Sequence, residues 1–410
     1  MRFMQTIAAN TLFQVIARIA TSGTTFLITI LIAHAYGVSG YGDFAKVTAF
    51  VSLFYLFADF GLNAVFLQQK DAKERFADLF YLRTFFGILL LLAVNVIAAL
   101  LPYNPVTGTG FSPAVHTGIS IYSLTLLTEA LVYSATVVFQ QNLSYEYFMM
   151  SSFIGSLVTL LLVFGITRIS TSLPLLLVCF VLGGVAKSAS ALLFAKRAVL
   201  PVTIDVVFVK KLLVETLPIT FMLVCNLIYF RIDMFLLSLL KPSTDVALYD
   251  LSYKFFDFFI ALPLFLSNAL YPSLLQRMKE NSISSTTIKK YSGVFFLLSL
   301  CVIIPVWIAS PALQFIRPEF LSAMVPLRIL LVSLPAFFVT SILQWVLIAK
   351  KQQKFLALVY FLLTIFNVIA NLVFIPQFSY IAASIITDIG EVLVLVVLWA
   401  KLFANNKYGK

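Results

Sequence analysis

The stretch LIYFRIDMFLL, residues 227–237, places Arg231 and Asp233 among nine apolar or aromatic residues. One charge at the middle of a bilayer-spanning helix costs about 3 kcal/mol on insertion scales. Two of them need a reason. An arginine fork can bind phosphate bidentately, and a carboxyl in low dielectric can hold a proton. Residues two apart on a helix do not face each other, so these two are not a self-cancelling pair. Asp233 shares a face with Asn226 and Tyr229, and Arg231 shares another with Ser238. This helix must therefore meet polar surroundings on two sides. One of the two charges could anchor packing and the other line a pathway.

A second polar constellation opens the chain. Asn10, Gln14, Arg18, Thr21, Thr25 and Thr29 fall within roughly 100° of one another at helical periodicity. Such a stripe must face other helices or water rather than lipid. Interhelical hydrogen bonding accounts for the threonines. Arg18, far from either helix end, is expected to face an aqueous cavity. Asp250, Lys254 and Asp257 show the contrary pattern, spaced four and three apart on one face where they can neutralise each other.

The other acids inside apolar segments are Asp59, Glu129, Glu215, Asp388 and Glu391. Each is either a proton site or a quiet hydrogen-bonded acid. Asp388 and Glu391 share a helix face, as do Asn367 and Asn371. Arg83 and Lys187, nearer one end of their segments, and Lys46 and Arg328, nearer the other, can snorkel to the headgroups.

The chain has no phosphate-binding glycine loop and no metal-ligand spacing. The three cysteines, Cys179, Cys225 and Cys301, are scattered in apolar segments and suggest neither disulfide nor metal. His34 and His116 read as surface groups near helix ends. An ATP-driven pump would need a nucleotide domain, for which no polar stretch is long enough.

These residues must be positioned by membrane-spanning helices. The 410 residues are 61% hydrophobic and only 11% charged, against about 25% charge in soluble domains. The hydropathy pattern predicts about twelve spans, near 8–35, 42–67, 79–101, 115–139, 144–167, 172–195, 211–240, 246–274, 290–310, 325–349, 353–375 and 380–403. The N-terminus lacks a cleavable signal pattern, so the first span is expected to direct insertion.

The net charge of +11 has a topological meaning rather than a nucleic-acid one. With the N-terminus inside, 18 of the 28 Lys and Arg fall in or beside the inner connections. Only Arg168, Lys241 and Arg317 fall outside, which predicts cytoplasmic termini. The basic connection 196–211 divides the spans six and six, giving lobes 1–200 and 201–410. An even number of spans in each half predicts parallel repeats related by an axis along the membrane normal.

Several motifs, in order along the chain, carry a family resemblance. "YGVSGYGDF" (36–44) resembles a Gly-rich first outer turn, and "FADFGL" (57–62) an Ala-Asp-x-Gly motif. "LPITFMLVCNLIYFRIDMFLL" (217–237) resembles a Pro-opened seventh span with an Arg-Val-Asp centre. "ALYDLSYKF" (247–255), "ALYPSL" (269–274) and "NVIANLVFIPQFSYIAASIITDIGE" (367–391) continue the series. Together these look like the polysaccharide flippases of the multidrug/oligosaccharidyl-lipid/polysaccharide exporter superfamily, the O-antigen type being the nearest branch. "PQFSYIAAS" departs from the family's Gly-x-x-Gly turn, and His34 stands where the family often has Arg.

The resemblance implies an all-α polytopic protein of two six-helix lobes around a central cavity, in the bacterial cytoplasmic membrane. It implies a flippase, not an enzyme, moving an undecaprenyl-pyrophosphate-linked oligosaccharide to the outer leaflet. It implies no cofactor, an H+ or Na+ gradient as the energy source, and membrane lipids and polysaccharide assembly proteins as neighbours. On this reading Arg18 and Arg231 compensate the pyrophosphate, with Lys46 and Lys254 as further cations. Asn10, Gln14, Thr25 and Asn226 hydrogen-bond the glycan. Asp59, Glu129, Asp233 and Asp388 are the candidates for ion coupling. The alternative is an ion-coupled multidrug antiporter of the same superfamily, for which Asp59, Glu129 and Asp233 would supply an acidic cavity.

Overall fold

The computed structural model describes residues 2–69, 71–72, 74–196, 204–279 and 285–403; the side chains of 2–20, 22, 265, 268–269, 271–273 and 275–279 fall outside the description. The elements are α1 (Arg2–Asp59), α2 (Leu62–Phe66), α3 (Phe76–Ala99), β1 (Tyr103–Asn104), β2 (Thr109–Gly110), α4 (Pro113–Tyr122), α5 (Thr125–Gln141), α6 (Tyr145–Ile166), α7 (Leu173–Ala195), α8 (Val206–Leu240), α9 (Ser243–Lys279), α10 (Ser285–Ala309), α11 (Met324–Ala349) and α12 (Gln353–Phe403). Two 3-10 segments, Ser310–Phe315 and Pro318–Ala323, join α10 to α11.

Among the described residues, nine helical stretches are long and apolar enough to cross a membrane. α9 is not one of the nine, and it carries Asp250, Lys254 and Asp257 in its first half. Two of the nine are double. At 1.5 Å per residue the 58 residues of α1 would run about 87 Å as one rod, against a hydrocarbon core of about 30 Å. The rod is broken at Gly37 (φ 68°, ψ −176°), where only glycine is unstrained. α12, 51 residues, is broken at Ser379 (φ 51°, ψ −136°). The expected outer loop at 36–41 is thus a one-residue break, and the loop between the last two spans likewise. The expected fourth span, 115–139, is two helices, α4 and α5, meeting at Ser123–Leu124.

The distribution of residues is that of a lipid-immersed bundle. Phe85, Leu92, Leu161 and Val396 are exposed, while Lys46, Arg83, Asp233, Asn371 and Glu391 are buried. In water that arrangement would be costly; in lipid it keeps apolar side chains outward and most polar groups within, where they can pair.

The chain divides into two compact units, 1–227 and 228–410. The division falls inside α8 rather than in the 196–211 connection. The first half of α8 packs into the first unit. Thr220 donates to the carbonyl of Phe60 at 2.8 Å, and the Phe66 and Phe208 rings meet edge to face. At the same end, Arg75 pairs with Asp205 at 2.7 Å, and Asp78 accepts from the Asp205 amide at 2.8 Å. In the second unit α11 is the buried centre, on which α9, α10 and α12 pack.

The β1–β2 hairpin pairs Tyr103 with Gly110 and Asn104 with Thr109. Its base is held by two side chains. Phe111, fully buried, meets Phe50 of α1 edge to face. Lys46 of α1 donates to the Gly110 carbonyl at 2.7 Å.

Candidate functional site

In the first unit a polar cavity of about 270 Å³ opens among α1, α5, α6 and α7. α1 contributes Thr21, Thr25 and Tyr55. α5 contributes Thr125, Thr128 and Glu129. α6 and α7 contribute Ser152, Ser156, Thr159, Phe180 and Lys187. Close helix approach builds it. A Cβ on Gly183 would stand 1.8 Å from Thr159 Oγ1, and one on Gly155 would stand 2.6 Å from Lys187 Cβ. Small residues at these two points let α6 and α7 touch backbone to backbone and set the Lys187 stem between them. The Lys187 ammonium then spans both carboxylate oxygens of Glu129, at 2.7 and 3.0 Å. Around this ion pair, Tyr55 shares a hydrogen bond with Thr125 at 2.7 Å. The result is a small room of hydroxyls and aromatic rings around one cation and one carboxylate.

A second pair lies in the same unit, its arginine sealed and its carboxylate, Asp59, part-exposed. Arg83 has no exposed surface. Its guanidinium donates to Asp59 Oδ1 at 3.1 Å, to Asn63 Oδ1 at 2.5 Å and to the Tyr133 carbonyl at 2.8 Å.

The second unit holds a longer network, centred on the halves of α8 and α9 that face each other. Arg231 donates to Asp257 Oδ2 at 3.2 Å, and its guanidinium lies 5.5 Å from the centre of the Tyr253 ring. Asp233 turns the other way, accepting from Tyr249 and from the Met234 amide. Lys254 pairs with Asp250 at 2.5 Å within α9. Deeper in the unit, Thr340 of α11 donates to Glu391 of α12, and Gln344 donates to Tyr360. Asn371 donates to Asn367 Oδ1 at 2.7 Å. Asp388 is different: its Oδ1 is buried without a hydrogen-bond partner.

The structure therefore sorts the residues singled out in the sequence. Arg231 and Asp233 do face apart, each with its own partner on α9. Thr21 and Thr25 of the α1 stripe line the polar cavity; Asn10, Gln14 and Arg18 lie outside the described side chains. Lys46 and Arg83 do not snorkel: both are fully buried. Lys187 does not snorkel either, since Glu129 holds it. Asp250 neutralises Lys254, while Asp257 goes to Arg231 rather than to Lys254. Asn226 is exposed on α8. The Lys187–Glu129 pair is the feature that sequence reasoning missed. Its signal was present in "GGVAKSAS" (183–190): a lysine among small residues belongs to a close helix contact, not to a lipid face. Among the described residues no group of three His, Cys, Asp or Glu stands together as a metal site.

Long apolar helices, two compact units and charges paired inside each of them describe a helical membrane protein, and the fold has solved counterparts. The chain resembles the lipid II flippase MurJ in an inward closed conformation with a TM-score of 0.76 at 14% identity, over 95% of this chain and 87% of that one. It resembles an inward-facing multidrug resistance transporter of the MATE family, in the MOP superfamily, with a TM-score of 0.73 at 12% identity, over 95% and 96%. A MOP superfamily transporter from Pyrococcus furiosus aligns with a TM-score of 0.59 at 14% identity, over 97% and 94%. The fold is that of the MOP superfamily. No curated protein matches the sequence. The family of polysaccharide biosynthesis proteins matches residues 7–278, and the chain belongs to that family. Its long apolar helices make it a multi-pass membrane protein.

Proposed function

We propose that this protein flips an undecaprenyl-pyrophosphate-linked oligosaccharide from the cytoplasmic to the outer leaflet of the bacterial inner membrane, by alternating access. The observation that carries the reading is the family match over 7–278, a range that contains both the Glu129–Lys187 cavity and Arg231. A pyrophosphate diester carries about two negative charges and needs cations wherever water is scarce. Arg231 supplies one, and its pairing with exposed Asp257 is of the kind a bidentate anion can displace. Arg18 keeps its sequence-based assignment as a second. The hydroxyls and rings around Glu129 and Lys187 suit a sugar unit, which needs donors, acceptors and a flat apolar face. Lys46 and Lys254, already bonded to Gly110 and Asp250, serve the scaffold of these sites.

Counting α1 and α12 as two crossings each, and admitting α9 as one, supports twelve spans, with both termini in the cytoplasm as the Lys and Arg distribution requires. Of the four coupling acids, Asp59, Glu129 and Asp233 are engaged by Arg83, Lys187 and Tyr249. Asp388, with one carboxylate oxygen left over, is our assignment for the ion-coupling group. The family match favours a glycan over a drug as the substrate.

The test is genetic complementation in a strain lacking the protein. Arg231→Ala and Lys187→Ala should each abolish surface polysaccharide while the amount of protein in the membrane stays normal, and Arg231→Lys should restore part of it. Normal glycan display in both alanine variants would sink the proposal.

A further inference from the structure

α10 and α12 both pack on α11, and the space they leave open toward the surface is an apolar groove of about 610 Å³. Phe296, Val339 and Trp399 line it, and Lys289 stands in its wall. Three observations favour a bound ligand there over a packing fault. Ser292 lines it, is 4% exposed, and has an Oγ that finds no hydrogen-bond partner. Burying a hydroxyl unsatisfied is costly, and such groups call for a ligand or water. Gly293 also lines it, and a Cβ built there meets nothing within 4 Å, so the wall has open space in front of it. Finally, charge is unbalanced at this end of the helices. Among the described residues neither Lys289, Lys290 nor Lys401 makes an ion pair; Lys289 and Lys401 instead lie 5.4 and 4.9 Å from the rings of Phe403 and Phe355.

An apolar slot with a lysine in its wall that makes no ion pair, an orphaned hydroxyl three residues on and a tryptophan along it has the chemistry of a lipid site. We propose that this groove holds one anionic phospholipid, its acyl chain along Phe296, Val339 and Trp399 and its phosphate at Lys289 with Ser292 donating to the headgroup region. The excess of positive charge selects an anionic over a zwitterionic headgroup, by about fivefold for each lysine near the phosphate.

The experiment is native mass spectrometry of the full-length protein in detergent, titrated with phosphatidylglycerol or with phosphatidylcholine of the same chains. Wild type should retain one phosphatidylglycerol with at least a roughly fivefold preference. Lys289→Gln should remove about that factor of preference. Gly293→Phe, which fills the groove, should remove the tight copy of either lipid while the unfolding temperature in detergent alone stays at the wild-type value. Equal retention of the two lipids by wild type, or undiminished retention by Gly293→Phe, would overturn the assignment. A polyprenyl phosphate that displaces phosphatidylglycerol at lower concentration would overturn it too, giving the groove to the chain of a transported lipid instead. No transport is measured, so the outcome is independent of the flippase reading.

Discussion

Arg83 shows what a charge needs in order to live inside this protein. It is fully buried and bonded to Asp59, Asn63 and the Tyr133 carbonyl. Removing one partner of a buried pair leaves the other uncompensated, at about 3–5 kcal/mol, the lower end applying here because the Asp59 side chain is 29% exposed. Arg83→Ala should therefore lose stability on that scale in detergent unfolding, and Arg83→Met with Asp59→Asn should recover most of it. A loss below about 1 kcal/mol in the single variant would place the pair among the weak ones. Sequence reading found Asp59 as either a candidate for ion coupling or a quiet hydrogen-bonded acid, and sent Arg83 to the headgroups. The reason is physical: helical spacing tells which residues share a face, not what the neighbouring helix presents to that face. Where the question was one of spacing alone the answer was legible. Arg231 and Asp233 are two apart, could not pair, and turn to Asp257 and Tyr249 respectively.

At the scale of elements the two long helices differ in how they turn. Gly37 breaks α1 without strain, and "YGVSGYGDF" announced a turn there. α12 turns at Ser379, a serine with φ 51°, in the stretch where the usual glycines were missing from the sequence. Two contacts hold that turn against the α8–α9 connection. Ser379 donates to Asp245 Oδ2 at 2.5 Å, and Lys241 donates to the Pro376 carbonyl at 2.8 Å. A backbone in that region costs about 1–3 kcal/mol for a residue with a side chain, and a hydrogen bond to a charged group contributes about 1.5–3. Ser379→Ala keeps the strain and loses the bond, so its unfolding midpoint should drop. Ser379→Gly loses the bond but relieves the strain, and should stay within about 1 kcal/mol of wild type. A glycine variant as unstable as the alanine one would show that the backbone there is not under strain. The absence of a glycine in "PQFSYIAAS" thus hid the turn's conformation from the sequence but not its place.

For the molecule as a whole, composition and hydropathy made the all-helical membrane architecture legible, because a bilayer permits so few alternatives. What hydropathy could not give was the α8 boundary. A helix equally apolar along its length does not say which of its halves packs with which neighbours. Outside the spans, the junction of α3 and α8 rests on Arg75 and Asp205. The Phe208 amide and then the Arg75 guanidinium hold the Asp205 carboxyl below the usual carboxylate range, and Asp205 raises Arg75 in return. A carboxylate with a depressed folded pKa stabilises the fold above its unfolded value, near 4, and that contribution disappears as pH falls through the folded value. The wild-type melting temperature should therefore fall on acidification below about pH 4. Asp205→Asn should start lower at neutral pH and fall less steeply. Parallel curves for the two proteins would show that the junction does not titrate.

The β1–β2 hairpin has a practical meaning beyond its architecture. Its tip projects freely, with Val106 92% exposed, while Lys46 and Phe111 fasten its base. Exposed loop tips tolerate added sequence when the backbone beneath them is tied down. The hairpin is therefore a natural mounting point for an epitope. Placed there, an antibody could report, on unbroken cells, which way round the whole chain has been threaded through its membrane.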